Sequence, residues 1–197
     1  MCSECGTPIA AELDYFAALG IPRRLTLDPR QLENLYHDLG RRLHPDRFAG
    51  SAAAIRNASL SATALLTRAF RTLRDPVSRG LYWLELQGEK LASDNQKVPP
   101  ELAEMIFDVQ ETLAELRSAH GGDAAAVRDQ IAASKAQVQA SIGESLADLE
   151  RNFARWDASV NHDADLIVQL KAILSRIAYL RTLSRDIERA LEQPDLG

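Results

Sequence analysis

Apolar residues along this chain recur every three or four positions rather than every two, and that period predicts helices almost throughout. From Ala11 to Leu19 the pattern reads as a short helix closed by Gly20. Asp28-Pro29 opens a second: aspartate caps the helix, and proline fits the first helical position because its missing N–H needs no partner there. Leu32, Leu35, Tyr36, Leu39 and Leu43 then set one stripe inward, and the helix cannot run through Pro45. After a turn at His44-Pro45-Asp46-Arg47-Phe48, a second stripe follows through Ile55, Ala58, Ala62, Leu65, Leu66, Ala69, Phe70 and Leu73, closed by Asp75-Pro76. A fourth helix over 77–87 contributes Leu81, Tyr82, Leu84 and Leu86 and ends at Gly88.

Residues 89–100 are polar and finish in two prolines, which marks a joint. Three long helical patterns follow. The first carries Leu102, Ile106, Val109, Leu113 and Leu116 and stops at Gly121-Gly122. The second carries Val127, Ile131, Val138, Ile142, Leu146, Leu149, Phe153 and Trp156; the third carries Leu166, Leu170, Ile173, Ile177, Leu180, Ile187 and Leu191. Such stripes joined by short loops predict an antiparallel bundle. The expectation is an all-α fold, with a tail over 1–13, a helical domain over 14–88, a linker over 89–100 and a three-helix bundle over 101–197.

Composition narrows the class. With 46% hydrophobic and 26% charged residues in 197, the chain reads as an ordinary globular protein. Its 23 Lys/Arg against 28 Asp/Glu give a net charge of −5, which argues against bulk attraction to nucleic acid. The charge is uneven: 13 basic and 11 acidic residues over 1–99 give +2, whereas 10 and 17 over 100–197 give −7. Halves of opposite sign point to two partner surfaces. No apolar run approaches the roughly 20 residues of a membrane span, and the start at Met1-Cys2 lacks the basic and apolar regions of a secretory signal, so the expected location is the cytoplasm. Two cysteines cannot build a disulfide framework, which leaves Cys2 and Cys5 as thiols or metal ligands.

The sequence lacks a Gly-rich phosphate loop, a His-Glu-x-x-His helix, a nucleophile elbow and a dinucleotide fingerprint, so a binding protein is expected rather than an enzyme. His44-Pro45-Asp46 reads by itself as a turn. Its setting adds to this: Arg41 and Arg42 end the helix before it and Arg47 follows, so cations surround a stiffened loop suited to docking on an acidic partner. On the first bundle helix, at roughly 100° per residue, Glu104, Asp108, Glu111 and Glu115 form a narrow stripe opposite the core face, with Phe107 beside it. Phe107 is either an edge residue covered by a neighbouring helix or an interface anchor. Tyr179, with Val168, Ala172 and Leu183, forms a minor apolar facet on the last helix that either faces a partner or packs on the N-terminal domain.

These residues carry a resemblance. Asp14-Tyr15-Phe16, Leu19-Gly20, Tyr36, Leu43-His44-Pro45-Asp46-Arg47-Phe48, Ala69-Phe70-Arg71-Thr72-Leu73-Arg74-Asp75-Pro76, Arg79, Tyr82, Leu86 and Gly88 resemble a J domain, and more narrowly the HscB/Jac-type co-chaperones of iron–sulfur cluster assembly. The resemblance implies a J domain followed by a three-helix bundle. It implies that His44, Pro45 and Asp46 contact a heat-shock-70 family chaperone and stimulate its ATP hydrolysis, with Arg41, Arg42 and Arg47 giving electrostatic attachment. It carries binding of the cluster scaffold protein (IscU type) onto Phe107, Asp108, Glu111, Glu115 and Tyr179. The usual apolar pair one turn earlier falls on Ala103 and Glu104, where Met105 is expected to substitute, and Thr67 stands where the family commonly has Asn.

Cys2 and Cys5 supply two thiolates where a structural zinc wants four ligands, so they read as half a zinc site or a vestigial tail. Two further readings stay open: a J protein serving other clients, and a metal or redox protein acting through these cysteines.

Overall fold

In the computed structural model, residues 13–91, 100–118, 122–159 and 164–192 are described, and these are all-α, with no strand among them. The order is α1 (Tyr15–Leu19), α2 (Pro29–Leu43), a 3-10 turn (Pro45–Phe48), α3 (Ala53–Arg74) and α4 (Pro76–Leu86). A second 3-10 turn (Pro100–Leu102) then leads into α5 (Ala103–Ser118), α6 (Gly122–Ala158) and α7 (Ala164–Glu192). The described chain forms two compact units, one up to Gly88 together with Trp156–Ala158 and the other Glu89–Arg155 with the residues from Ser159 onward. The central part of the expected linker, 92–99, lies outside the described residues.

The first helix is shorter than the apolar pattern suggests. Asp14 sits in extended conformation and its carboxylate accepts the Ala17 N–H at 2.8 Å, so α1 starts only at Tyr15. A local cap overrides the pattern because it satisfies a donor that the first turn would otherwise leave orphaned. At the other end Gly20, at φ 68°, closes the helix from the left-handed region, which only glycine enters without a Cβ penalty. Asp28 caps α2 as the sequence indicates, accepting from Arg30 N–H at 2.8 Å, and Pro29 takes the first position.

In the first unit α2 and α3 run antiparallel: Leu43, at the end of α2, bonds Ser59 and Thr63 early in α3, while Tyr36 stacks on Phe70 late in α3 at 4.3 Å. Phe16, Leu19, Leu66, Leu73 and Leu84 are buried between the helices. Burial of each such side chain contributes roughly 1.5–3 kcal/mol before chain entropy is counted.

On α4 two assignments change. Leu81 is 41% exposed, and the inward face is instead Val77, Gly80, Trp83 and Leu84. Trp83 meets Phe16 edge-on at 5.8 Å and Trp156 edge-on at 5.9 Å. Trp156 thus packs in the first unit and not in the bundle core where its stripe would put it. Next to it Asp157 accepts the backbone N–H groups of Leu25 and Thr26 at 2.9 and 2.7 Å, fixing the connector before α2.

The second unit is the α5–α6–α7 bundle. Leu102, Ile106, Val109 and Leu113 meet Ile131 and Val138 of α6 and Leu180, Leu183 and Ile187 of α7 in one buried cluster. Pairing across α6 and α7 runs in opposite directions, from Lys135–Glu188 through Asp148–Arg176 to Arg155–Gln169, so these two helices are antiparallel. Leu183 is core, and so is Leu174, which the apolar pattern did not single out. Tyr179 is half-buried and packs against the bundle's own core cluster, while Val168 and Ala172 of the same facet are exposed.

Candidate functional site

The His44-Pro45-Asp46 loop is set by what ends α2. Pro45 cannot continue the helix, His44 turns extended at φ −56° and ψ 131°, and Pro45–Phe48 tightens into a 3-10 turn. The turn is closed by Arg47 N–H donating to His44 C=O at 3.0 Å and Ala49 N–H to Asp46 C=O at 3.3 Å. The Asp46 N–H donates to His44 Nδ1 at 3.3 Å, so the ring accepts at Nδ1 and holds the loop from inside. The Asp46 carboxylate also lies 3.4 Å from that nitrogen, yet its side chain is 89% exposed.

Two hydroxyls that the sequence reading passed over anchor this loop. The Ser59 Oγ donates to Leu43 C=O at 2.6 Å, fully buried, and the Thr63 Oγ1 donates to the same oxygen at 3.2 Å. They satisfy the carbonyl of the last residue of α2, which loses its intrahelical donor because Arg47 N–H turns to His44 C=O. The signal was present as a Ser/Thr pair four residues apart on α3, one helical turn, and invisible without the pairing of α2 and α3. Thr67, the departure from the family pattern, donates within α3 to Thr63 C=O at 2.9 Å and leaves the helix intact.

Of the cations, Arg41, Arg42 and Arg47 are all exposed around the loop. Arg41 is engaged by Asp38 one turn earlier, which neutralises part of its charge. The structure therefore brings His44, Pro45 and Asp46 together and leaves them accessible, with cations on both sides.

On α5 the acidic stripe is exposed at Glu104, Asp108, Glu111 and Glu115, and Phe107 stands beside it 67% exposed. No neighbouring helix covers Phe107 among the described residues. Met105 is half-buried against the bundle core, as Tyr179 is.

Cys2 and Cys5 lie outside the described residues, as do His120 and His162, while the described His37 is exposed 3.9 Å from Glu33. Among the described residues no group of three or more His, Cys, Asp or Glu side chains gathers as metal ligands. None of the described helices is long and apolar enough to cross a membrane.

No protein-family model matches the chain. Over 84 residues it is 39% identical to the co-chaperone protein HscB of Proteus mirabilis, spanning 43% of this chain and 49% of that protein. It is 37% identical over 112 residues to an HscB homolog of Azoarcus, spanning 56% of this chain and 63% of that one. The chain thus matches about half to under two thirds of these relatives' length. In three dimensions it superposes on the chaperone HscB of Vibrio cholerae with a TM-score of 0.70 at 24% identity, over 89% of this chain and 96% of that one. The human co-chaperone HscB gives 0.72 at 24% identity, over 96% and 88%. The resemblance first read from His44-Pro45-Asp46 and its flanks therefore holds at two levels: the chain is similar to HscB-type co-chaperones in sequence over the matched segment, and it shares their all-α fold over most of its length.

Proposed function

We propose that this chain is a co-chaperone that stimulates ATP hydrolysis by a heat-shock-70 family chaperone and brings an iron–sulfur cluster scaffold protein (IscU type) to it. The observation that carries the reading is the loop at the head of the α2–α3 hairpin, where His44 and Asp46 stand exposed on either side of a half-buried Pro45, in a chain similar to HscB co-chaperones. The nucleotide chemistry belongs to the partner; what this chain contributes is a rigid contact. Rigidity lowers the ordering cost of docking, and the guanidinium groups of Arg41, Arg42 and Arg47 speed encounter with an acidic surface. Asp46 presents a carboxylate to that surface, and its charge is the part of the loop whose loss leaves shape unchanged.

The bundle supplies the second contact. Phe107 is an exposed aromatic flanked by like charges, which suits an anchor in a recess of a basic partner, with Asp108, Glu111 and Glu115 giving the polar rim. Met105 and Tyr179 support this surface from the core side.

The test is steady-state ATP hydrolysis by the chaperone, with the chain and the scaffold added separately and together. Stimulation by the chain alone, raised further by the scaffold, is expected; Asp46→Asn abolishes it with the circular dichroism spectrum unchanged. Stimulation that survives Asp46→Asn overturns the loop's role. Stimulation without any scaffold binding leaves a general J protein serving other clients.

A further inference from the structure

Between α6 and α7 lies a cavity of about 300 Å³ whose lining includes Arg151, Arg155, Arg176 and Asn152. We propose that it binds a small organic anion carrying both an oxyanion group, carboxylate or phosphate, and a hydroxyl. The site uses faces of α6 and α7, and none of its residues takes part in the chaperone or scaffold contacts described above.

The charge argument comes first. Three guanidinium groups meet only Asp148 and Glu101 in this lining, so it is net positive inside a half of the chain that carries −7. Asp148 is shared: Arg176 holds it at 2.7 Å and Arg151 binds its other oxygen. Among the described residues Arg155 is held by the neutral Gln169 carboxamide at 2.8 Å and not by a carboxylate. Guanidinium groups that share or lack a counter-charge are the groups an entering oxyanion neutralises, through fork-shaped paired hydrogen bonds.

Two buried polar atoms set the second requirement. Asn152 is 3% exposed; its Nδ2 donates to Leu166 C=O at 3.4 Å, while its Oδ1 has no hydrogen-bond partner among the described residues. Arg176, whose side chain is 24% exposed, likewise has a buried Nε without a partner among the described residues. Buried polar atoms are normally paired, so an acceptor and a donor left together beside one cavity define complementary ligand groups. Nε–H can only donate and calls for an oxyanion; Oδ1 can only accept and calls for a hydroxyl. The cavity sits at the small end of the roughly 300–1,000 Å³ usual for small-molecule sites, which favours a compact hydroxy-acid or polyol phosphate over a nucleotide.

Isothermal titration of the full chain with citrate and with glycerol 3-phosphate, in an amine buffer at low salt, tests this. At least one of them is expected to saturate the protein with a stoichiometry of one, and the tighter of the two names the oxyanion. Arg155→Gln should weaken that binding about tenfold, the loss of one charge-assisted hydrogen bond. Arg155 is exposed, so this variant should keep its fold, and Arg185→Gln, an exposed change elsewhere on α7, should leave binding as it was. If citrate binds, tricarballylate, the same acid without its hydroxyl, should bind more weakly. Failure of both probes to saturate below about 10 mM, or equal binding by Arg155→Gln and the parent chain, would overturn the proposal.

Discussion

A carboxylate holds a helix end most strongly while it is ionised, and Asp14 is a case where this sets a pH dependence. Burial, the largest single influence on Asp14, pushes its pKa upward. Hydrogen bonds from Ala17 N–H, Arg23 and Phe16 N–H, with the charge of Arg23, outweigh it and bring the group below the usual aspartate value of 3.8. A pKa lower in the folded than in the unfolded chain means that the ionised group stabilises the fold above pH 3.8, and that this is lost as acid takes the pH through the lower folded value. Asp14→Ala should therefore cost about 1 kcal/mol at pH 7, the usual worth of an N-cap. The gap from the parent chain should narrow as urea unfolding is repeated at successively lower pH toward 3; a gap independent of pH would show that the cap works through shape alone. Ser59 makes a second argument at this scale. Ser59→Ala removes a buried hydroxyl from Leu43 C=O and should cost about 1 kcal/mol, with Thr63 retaining its bond. Adding Thr63→Val leaves that carbonyl without its side-chain donors, so the double variant should melt lower still. It should also need a higher concentration for half-maximal chaperone stimulation, because the loop is then less rigid.

At the scale of the element, the helical period revealed which segments are helices and left uncertain which face each one turns inward. On α2 and α3 the stripe was broad enough to settle the matter, and Asp28-Pro29, Pro45 and Asp75-Pro76 punctuated it. On α4 nearly every position is apolar, so period alone selected Leu81 over Trp83, and only packing against Phe16 and Trp156 reverses the choice. Trp83→Ala should accordingly cost about 3–5 kcal/mol in denaturant unfolding, with Leu81→Ala within about 0.5. The candidate site was legible to different depths for the same reason. His44-Pro45-Asp46 is a contiguous motif and needs no tertiary contact to be read, whereas Phe107 and Tyr179 are similar residues on paper that packing separates. Phe107→Ala should leave stability within about 0.5 kcal/mol while weakening scaffold binding tenfold or more. Tyr179→Ala should cost about 2 kcal/mol, less than full burial would give, because its ring rests on the bundle core. Equal loss of stability in the two variants would contradict the exposure of Phe107.

At the scale of the molecule, the proposed function would use the charge asymmetry for two different association reactions on one chain. The half over 1–99 carries +2 with arginines around the loop, and the half over 100–197 carries −7, with four of its 17 acids in the stripe beside Phe107. Both attractions are electrostatic and exposed, so both should weaken as salt rises beyond about 0.15 M, where the screening length falls below about 8 Å. In the proposed reading what joins them is covalent: a scaffold held by the bundle would have its concentration near the chaperone set by the chain and no longer by the solution. The two contacts should then be separable by substitution. With the chain alone, Phe107→Ala should stimulate chaperone ATP hydrolysis as well as the parent, because Phe107 lies on α5 and the loop lies between α2 and α3. With scaffold present at a concentration too low to act on the chaperone by itself, the additional stimulation should disappear in Phe107→Ala and return when scaffold is raised. Asp46→Asn should show the converse, binding scaffold with the parent's affinity while stimulating nothing at any scaffold concentration. If Phe107→Ala retained the full scaffold-dependent increment at low scaffold, the bundle would not be acting as a tether, and the acidic surface would have to serve another partner.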